Sequence, residues 1–129
     1  MRWNRCNVLY TAAMRLKSEI LVSALIRRVF AAGGFAAVEH KGADAAGAIF
    51  VRQHFRDGLE TLYGPAPQTS FEAEDSGDRL FERRLERVPP EAVAALIARE
   101  RKFDSDLWLV EIETDDITDL LPLASPQTP

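Results

Sequence analysis

The chain has 129 residues, 47% of them hydrophobic, which is the size of one ordinary domain and enough to bury about two-thirds of its unfolded surface. One cysteine, Cys6, excludes an internal disulfide, and the longest apolar stretch, Ile20 to Phe35, is broken by Arg27-Arg28 and falls short of the roughly 20 residues that span a bilayer. The net charge of −4 hides an imbalance, nine Lys/Arg against three Asp/Glu in residues 1–56 and seven against seventeen in residues 57–129, and two halves of one domain are expected to neutralise each other.

The first thirteen residues, Met1 to Ala13, show no regular period, and Val8 to Ala13 is too short and polar for the core of a signal peptide. They are expected to lie outside the folded domain, with Met14 as the native start. Leu16 to Val22 alternates as a strand does. Ser23 then caps a helix over Ala24 to Ala32 that turns Leu25, Ile26, Val29 and Phe30 inward and stops at Gly33-Gly34. A single helix from Leu16 to Ala32 fits the same apolar residues.

Two strands follow, Phe35 to His40 and Gly47 to Phe55, with a short loop suited to a hairpin between them. In the second, Ile49, Val51 and Phe55 share one side, and Arg52, His54 and Arg56 the other. Asp57-Gly58 marks a turn. A three-residue loop would set Phe55 against Leu59, Val51 against Tyr63 and His54 against Glu60, with Gly58 in the left-handed conformation. The strand from Glu60 should stop at Gly64, before Pro65 and Pro67, completing a meander.

Gln68 to Asp78 is acidic and reads as a loop. Arg79 to Val88 fits an edge strand somewhat better than a helix. Pro89-Pro90 opens a helix in which Ala92, Val93, Leu96, Ile97 and Phe103 form the buried face, with Glu91 near its start and Arg99, Arg101 and Lys102 near its end complementing the dipole. Leu107 to Glu113 is apolar on both faces, as in an interior strand, and Trp108, Val110 and Ile112 are expected against that second helix. After Ile117, with three prolines, the tail should be loose. The expected fold is α+β: a mainly antiparallel sheet of about five strands with two packed helices, one domain over residues 14–117, an extension over 1–13 and a tail over 118–129.

The blocks MRLKSEILVSALIRR (Met14 to Arg28), GFAAVEHKG, GAIFV, TLYGPAPQ (Thr61 to Gln68), FERRLE (Phe81 to Glu86) and FDSDLWLVEIE (Phe103 to Glu113), in that order, resemble a family of small bacterial proteins, domain of unknown function 1491. The resemblance covers about a hundred residues. It implies a cytoplasmic protein of proteobacterial type beginning near Met14, and it lends no activity and no catalytic residue. Met1 to Ala13 has no counterpart in the pattern.

No chemical motif stands out. Two histidines, His40 and His54, are too few for a zinc site without carboxylates at a recognisable spacing, so neither a metal nor another cofactor is expected. There is no G-x-S-x-G elbow and no phosphate loop, and EAEDSGD at Glu72 to Asp78 lacks the alternating ligands of an EF-hand. What remains is the polar face of Arg52, His54 and Arg56, with His40 and Lys41 on the neighbouring strand and Tyr63 as an adjacent aromatic. On this basis the chain reads as a non-enzymatic binding or accessory module for a protein or other anionic partner. Two alternatives stay open. One is a small enzyme gathering His54, Glu60 or the Glu111/Glu113 pair in a pocket, and the other a weak nucleic-acid binder through the Arg52/His54/Arg56 face.

Expression from Met14 should leave the melting temperature within a few degrees of that of the full chain. A large loss of stability would show that Met1 to Ala13 packs on the core.

Overall fold

The computed structural model describes residues 17–67 and 79–124. The extension at Met1 to Ala13, with Trp3 and Cys6, the acidic loop at Gln68 to Asp78 and the last five residues lie outside the described part. In chain order the elements are α1 (Ser18–Ala31), β1 (Phe35–His40), β2 (Ile49–His54), β3 (Glu60–Pro65), β4 (Phe81–Val88), α2 (Pro90–Phe103) and β5 (Trp108–Glu113). The fold is α+β, two helices on a five-stranded sheet. Neither helix is long and apolar enough to cross a membrane.

The first element is the single helix that the sequence left open, and it corrects the strand-then-helix reading. Residues 18–22 are helical, and Ser23 lies exposed inside α1 instead of capping it. Val22, Leu25 and Val29 bury one stripe, with Ser18 a further turn back on the same stripe. That polar residue made the segment look like an alternating strand. Ser18 is tolerated in the core because its hydroxyl donates to the Gly47 carbonyl (2.6 Å) and accepts from Arg79 Nη1 (2.7 Å). The helix start has no side-chain cap; the amides of Ser18 and Glu19 donate to the carbonyls of Ala45 (3.3 Å) and Asp44 (3.0 Å). At the other end the Gly34 amide donates to Val29 (2.9 Å) and that of Gly33, at φ 90°, to Phe30 (3.0 Å), the glycine stop expected.

The β2–β3 hairpin has the expected register. Val51 opposes Tyr63 and His54 opposes Glu60, the Phe55 amide donates to Leu59 (3.0 Å), and Gly58 sits at φ 89°. Strand β3 runs one residue past Gly64, to Pro65. The expected β1–β2 hairpin does not form. The strand order is β1-β5-β2-β3-β4: β5 lies between them, antiparallel to β1 and parallel to β2, the one parallel pairing in the sheet. The β1–β2 connection instead packs against the turn leading into β5. A Cβ on Gly42 or Gly47 would collide with the Asp106 carbonyl there, and the Trp108 indole donates to Ala43 (2.7 Å).

With β5 inside, the sheet buries both faces. On one, Val22, Leu25 and Val29 of α1 meet Ala36, Val51, Trp108, Val110 and Ile112. On the other, Val93 and Ile97 of α2 meet Phe50, Leu62, Leu107 and Leu109. Trp108, Val110 and Ile112 therefore pack against α1 and not, as expected, against α2. Phe103, expected on the buried face, is 88% exposed as the last residue of α2. Residues 118–124 are not wholly loose: Leu120 and Leu121 join the α1-side core and Leu123 bridges to Phe81.

Trp108→Ala should cost about 3–5 kcal/mol, removing a large buried ring and its hydrogen bond to Ala43. Phe103→Ser should change stability by less than about 0.5 kcal/mol. Urea unfolding midpoints of the two variants check both statements.

Candidate functional site

Helix α2 packs over β3 and β4, and α1 covers β1 and β5 on the opposite face. On the α2 side, Leu109 of β5 packs under the helix, but β1 and the carboxyl ends of β5 and β2 lie beyond it, and Arg52, His54, Glu39, Glu111 and Glu113 collect there. Alternation along β2 puts Arg52 and His54 on that face beyond the buried Phe50. Register then sets Glu60 of β3 opposite His54, and Glu111 of β5 beside Arg52.

Glu60 is the centre of the cluster, only 4% exposed, with a donor on each carboxylate oxygen: Arg52 Nε at 2.6 Å and His54 Nδ1 at 2.7 Å. Arg52 Nη1 reaches across β5 to both oxygens of Glu39, each at 3.2 Å. Burial by itself disfavours the Arg52 charge, but the hydrogen bonds and attraction of Glu60 and Glu39 outweigh it and hold the guanidinium above the ordinary arginine value. His54 Nε2 lies 3.1 Å from Glu111 Oε2. Both ring nitrogens thus face carboxylates, and only a ring protonated on both can donate to both.

Beyond His54 the carboxyl ends of the parallel pair β2 and β5 open into a cleft of about 610 Å³. Its walls are His54, Phe55 and Arg56 on one side, Glu111, Glu113, Thr114 and Asp115 on the other, and the glycine turn after α1 at the end. Of the residues proposed from sequence, Arg52 and His54 lie together and Arg56 is exposed on the cleft wall. Tyr63 is elsewhere. It is buried on the α1 side, where its hydroxyl donates to Gln53 Oε1 (3.0 Å); burial raises its pKa, and neighbouring Arg83 offsets part of the effect. His40 and Lys41 are not beside Arg52, because β2's neighbours are β5 and β3.

Glu39 and Glu111 as partners of the basic residues were not found from sequence. The sequence offers Glu111 only as a pair with Glu113 in an enzyme pocket, and nothing local announces that its strand lies beside β2. Among the described residues no group of three or more His, Cys, Asp or Glu is arranged to hold a metal ion.

The sequence profile of the family described as a protein of unknown function, DUF1491, matches residues 16–122. The chain belongs to this family. Among solved structures, a solution structure from A. tumefaciens is 67% identical, with a TM-score of 0.78, covering 89% of this chain and 100% of its own. A DUF1491 crystal structure from Caulobacter crescentus at 1.87 Å is 32% identical, covers 85% of this chain and 98% of its own, and has a TM-score of 0.69. A solution structure of a DUF1491 protein from the same organism is 34% identical with a TM-score of 0.68, over 85% of this chain and 97% of its own. None of the curated proteins compared matches the chain.

In this DUF1491 protein the Arg52–Glu60 pair is the costly one to break, because a nearly buried carboxylate would lose its strongest donor. Arg52→Met should destabilise by about 3 kcal/mol. Glu39→Gln, at the exposed end of the same network, should cost less than about 1 kcal/mol. Chemical denaturation of both variants measures the difference.

Proposed function

We propose that this DUF1491 protein is a non-enzymatic binding module that takes a cationic segment of a protein partner into the cleft at the carboxyl ends of β2 and β5. The observation that carries this reading is the disposition of charge. An anionic partner, the expectation from the basic strand face, would need free cations, yet Arg52 and His54 are engaged by Glu39, Glu60 and Glu111. The cleft wall carries Glu111, Glu113 and Asp115 against Arg56 and His54. The sign of the partner is therefore reversed from that expectation.

Magnitudes narrow the ligand class. One exposed ion pair contributes at most about 1 kcal/mol, whereas micromolar binding requires about 8 kcal/mol. A free ion would not be held. A peptide that places a Lys or Arg between Glu111 and Glu113 and rests apolar atoms on Phe55 and the glycine turn has the means, and the cleft volume is within the range of ordinary ligand sites.

A second reading, acid–base catalysis, is favoured by one specific feature. A buried carboxylate holds His54 Nδ1 and turns Nε2 toward the cleft, as a general base requires. The neighbour of Nε2 is Glu111 and not a hydroxyl or thiol. Nucleic-acid binding has the least support, with Arg52 paired, His54 held between two carboxylates and Tyr63 on the other face.

Titration with a lysine-rich peptide should show binding that weakens with salt and falls at least tenfold in Glu111→Gln/Glu113→Gln. Preference for a glutamate-rich peptide, lost on Arg56→Glu, would overturn the proposal and restore the anionic partner. Turnover of a small substrate lost on His54→Asn would establish the second reading.

A further inference from the structure

The two edges of the sheet differ. At the β4 edge the chain covers itself: the Phe81 amide donates to Pro122 (2.9 Å), the Ala124 amide donates to Phe81 (2.8 Å), and Phe81 forms a bridge with Leu123. The rest of β4 carries Glu82, Arg83, Arg84, Glu86 and Arg87, side chains that discourage another strand from adding. At the β1 edge no segment among the described residues covers the strand, which carries one charged residue, Glu39, and a bulge between Val38 and His40. Strand β1 pairs only with β5, and among the described residues its outward backbone groups have no partner.

Apolar side chains gather at that same edge. Five large hydrophobic residues are exposed among the described ones, and three of them, Phe30 (51%), Phe35 (44%) and Val38 (40%), belong to α1 and β1 along this side. The Phe30 and Phe35 rings meet edge to face at 5.7 Å, which fixes the flank of α1 that looks toward the edge. Arg28 leaves the helix on the other flank, toward the Leu120 carbonyl. Isolated exposed apolar residues need no explanation, but a cluster beside an open strand edge does.

We infer that the β1 edge is the interface of a two-fold dimer of this chain, in which β1 pairs antiparallel with its copy and the two α1 helices meet on one face of a continuous ten-stranded sheet. The occupant is a second copy because a foreign strand would satisfy β1 and leave Phe30 exposed. A two-fold axis through the sheet brings a second α1 to the same side and covers it. Pairing about Ala37 places Ala36 opposite Val38, short of the bulge at Val38–His40, so small residues lie at the axis and no like charges meet there. Glu39 is turned toward Arg52, which compensates its charge in place. The lengths agree as well: six residues of β1 extend about 20 Å and fourteen of α1 about 21 Å.

Sedimentation velocity of the full chain over a concentration series should show a monomer–dimer equilibrium. Val38→Lys and Phe30→Glu, both at exposed positions, should each shift it at least tenfold toward monomer while the melting curve stays cooperative. A parent that is monomeric at every concentration would overturn the inference, as would a dimer that persists in both folded variants. Should either variant fail to fold, amide exchange of Phe35–His40 in the parent decides: protection rising with concentration supports the interface, and unchanged protection contradicts it.

Discussion

The parallel pairing of β5 with β2 is the constraint on which the rest of the molecule depends. Ile49 aligns with Trp108 and His54 with Glu113, and this one register sends Trp108, Val110 and Ile112 to α1 and Leu109 to α2. Without it the sheet would be a simple meander with one wet face. With it, both faces need cover, which α1 and the segment from Ile117 to Leu121 supply on one side and α2 only in part on the other. The part that α2 leaves open is where Arg52, His54 and Glu111 lie.

The same pairing gives the site its character. A basic strand face on a meander would attract anions. Here β5 brings Glu111 beside β2, and β1, across β5, contributes Glu39, so that Arg52 and His54 are held as donors within a carboxylate network. The low exposure of Glu60 makes that network part of the core's edge and not a surface ornament: both oxygens are taken, and removing either donor strands a buried charge. Glu113, exposed at the end of β5, keeps capacity for a ligand, while one oxygen of Glu111 is engaged by His54.

What was legible in the sequence was local. Asp57-Gly58 and the alternation around it specify the β2–β3 register, hence the opposition of His54 and Glu60. That register also places Tyr63 with Val51 on the buried side, so grouping Tyr63 with the basic residues ran against the sequence's own logic. The placement of β5 was not legible, since a strand apolar on both faces announces that it is interior without saying between which neighbours. Helix α1 was misread for a related reason. Its start is held by backbone carbonyls of Asp44 and Ala45 and by Gly47's bond to Ser18, partners that no window around residue 20 contains.

A double-mutant cycle on His54 and Glu111 tests the account most directly, because the two residues meet only if β5 lies beside β2 in the stated register. Unfolding free energies of His54→Ala, Glu111→Ala and the double variant should reveal a coupling between about 0.5 and 3 kcal/mol. Single losses that simply add would contradict the arrangement and with it the origin of the cleft.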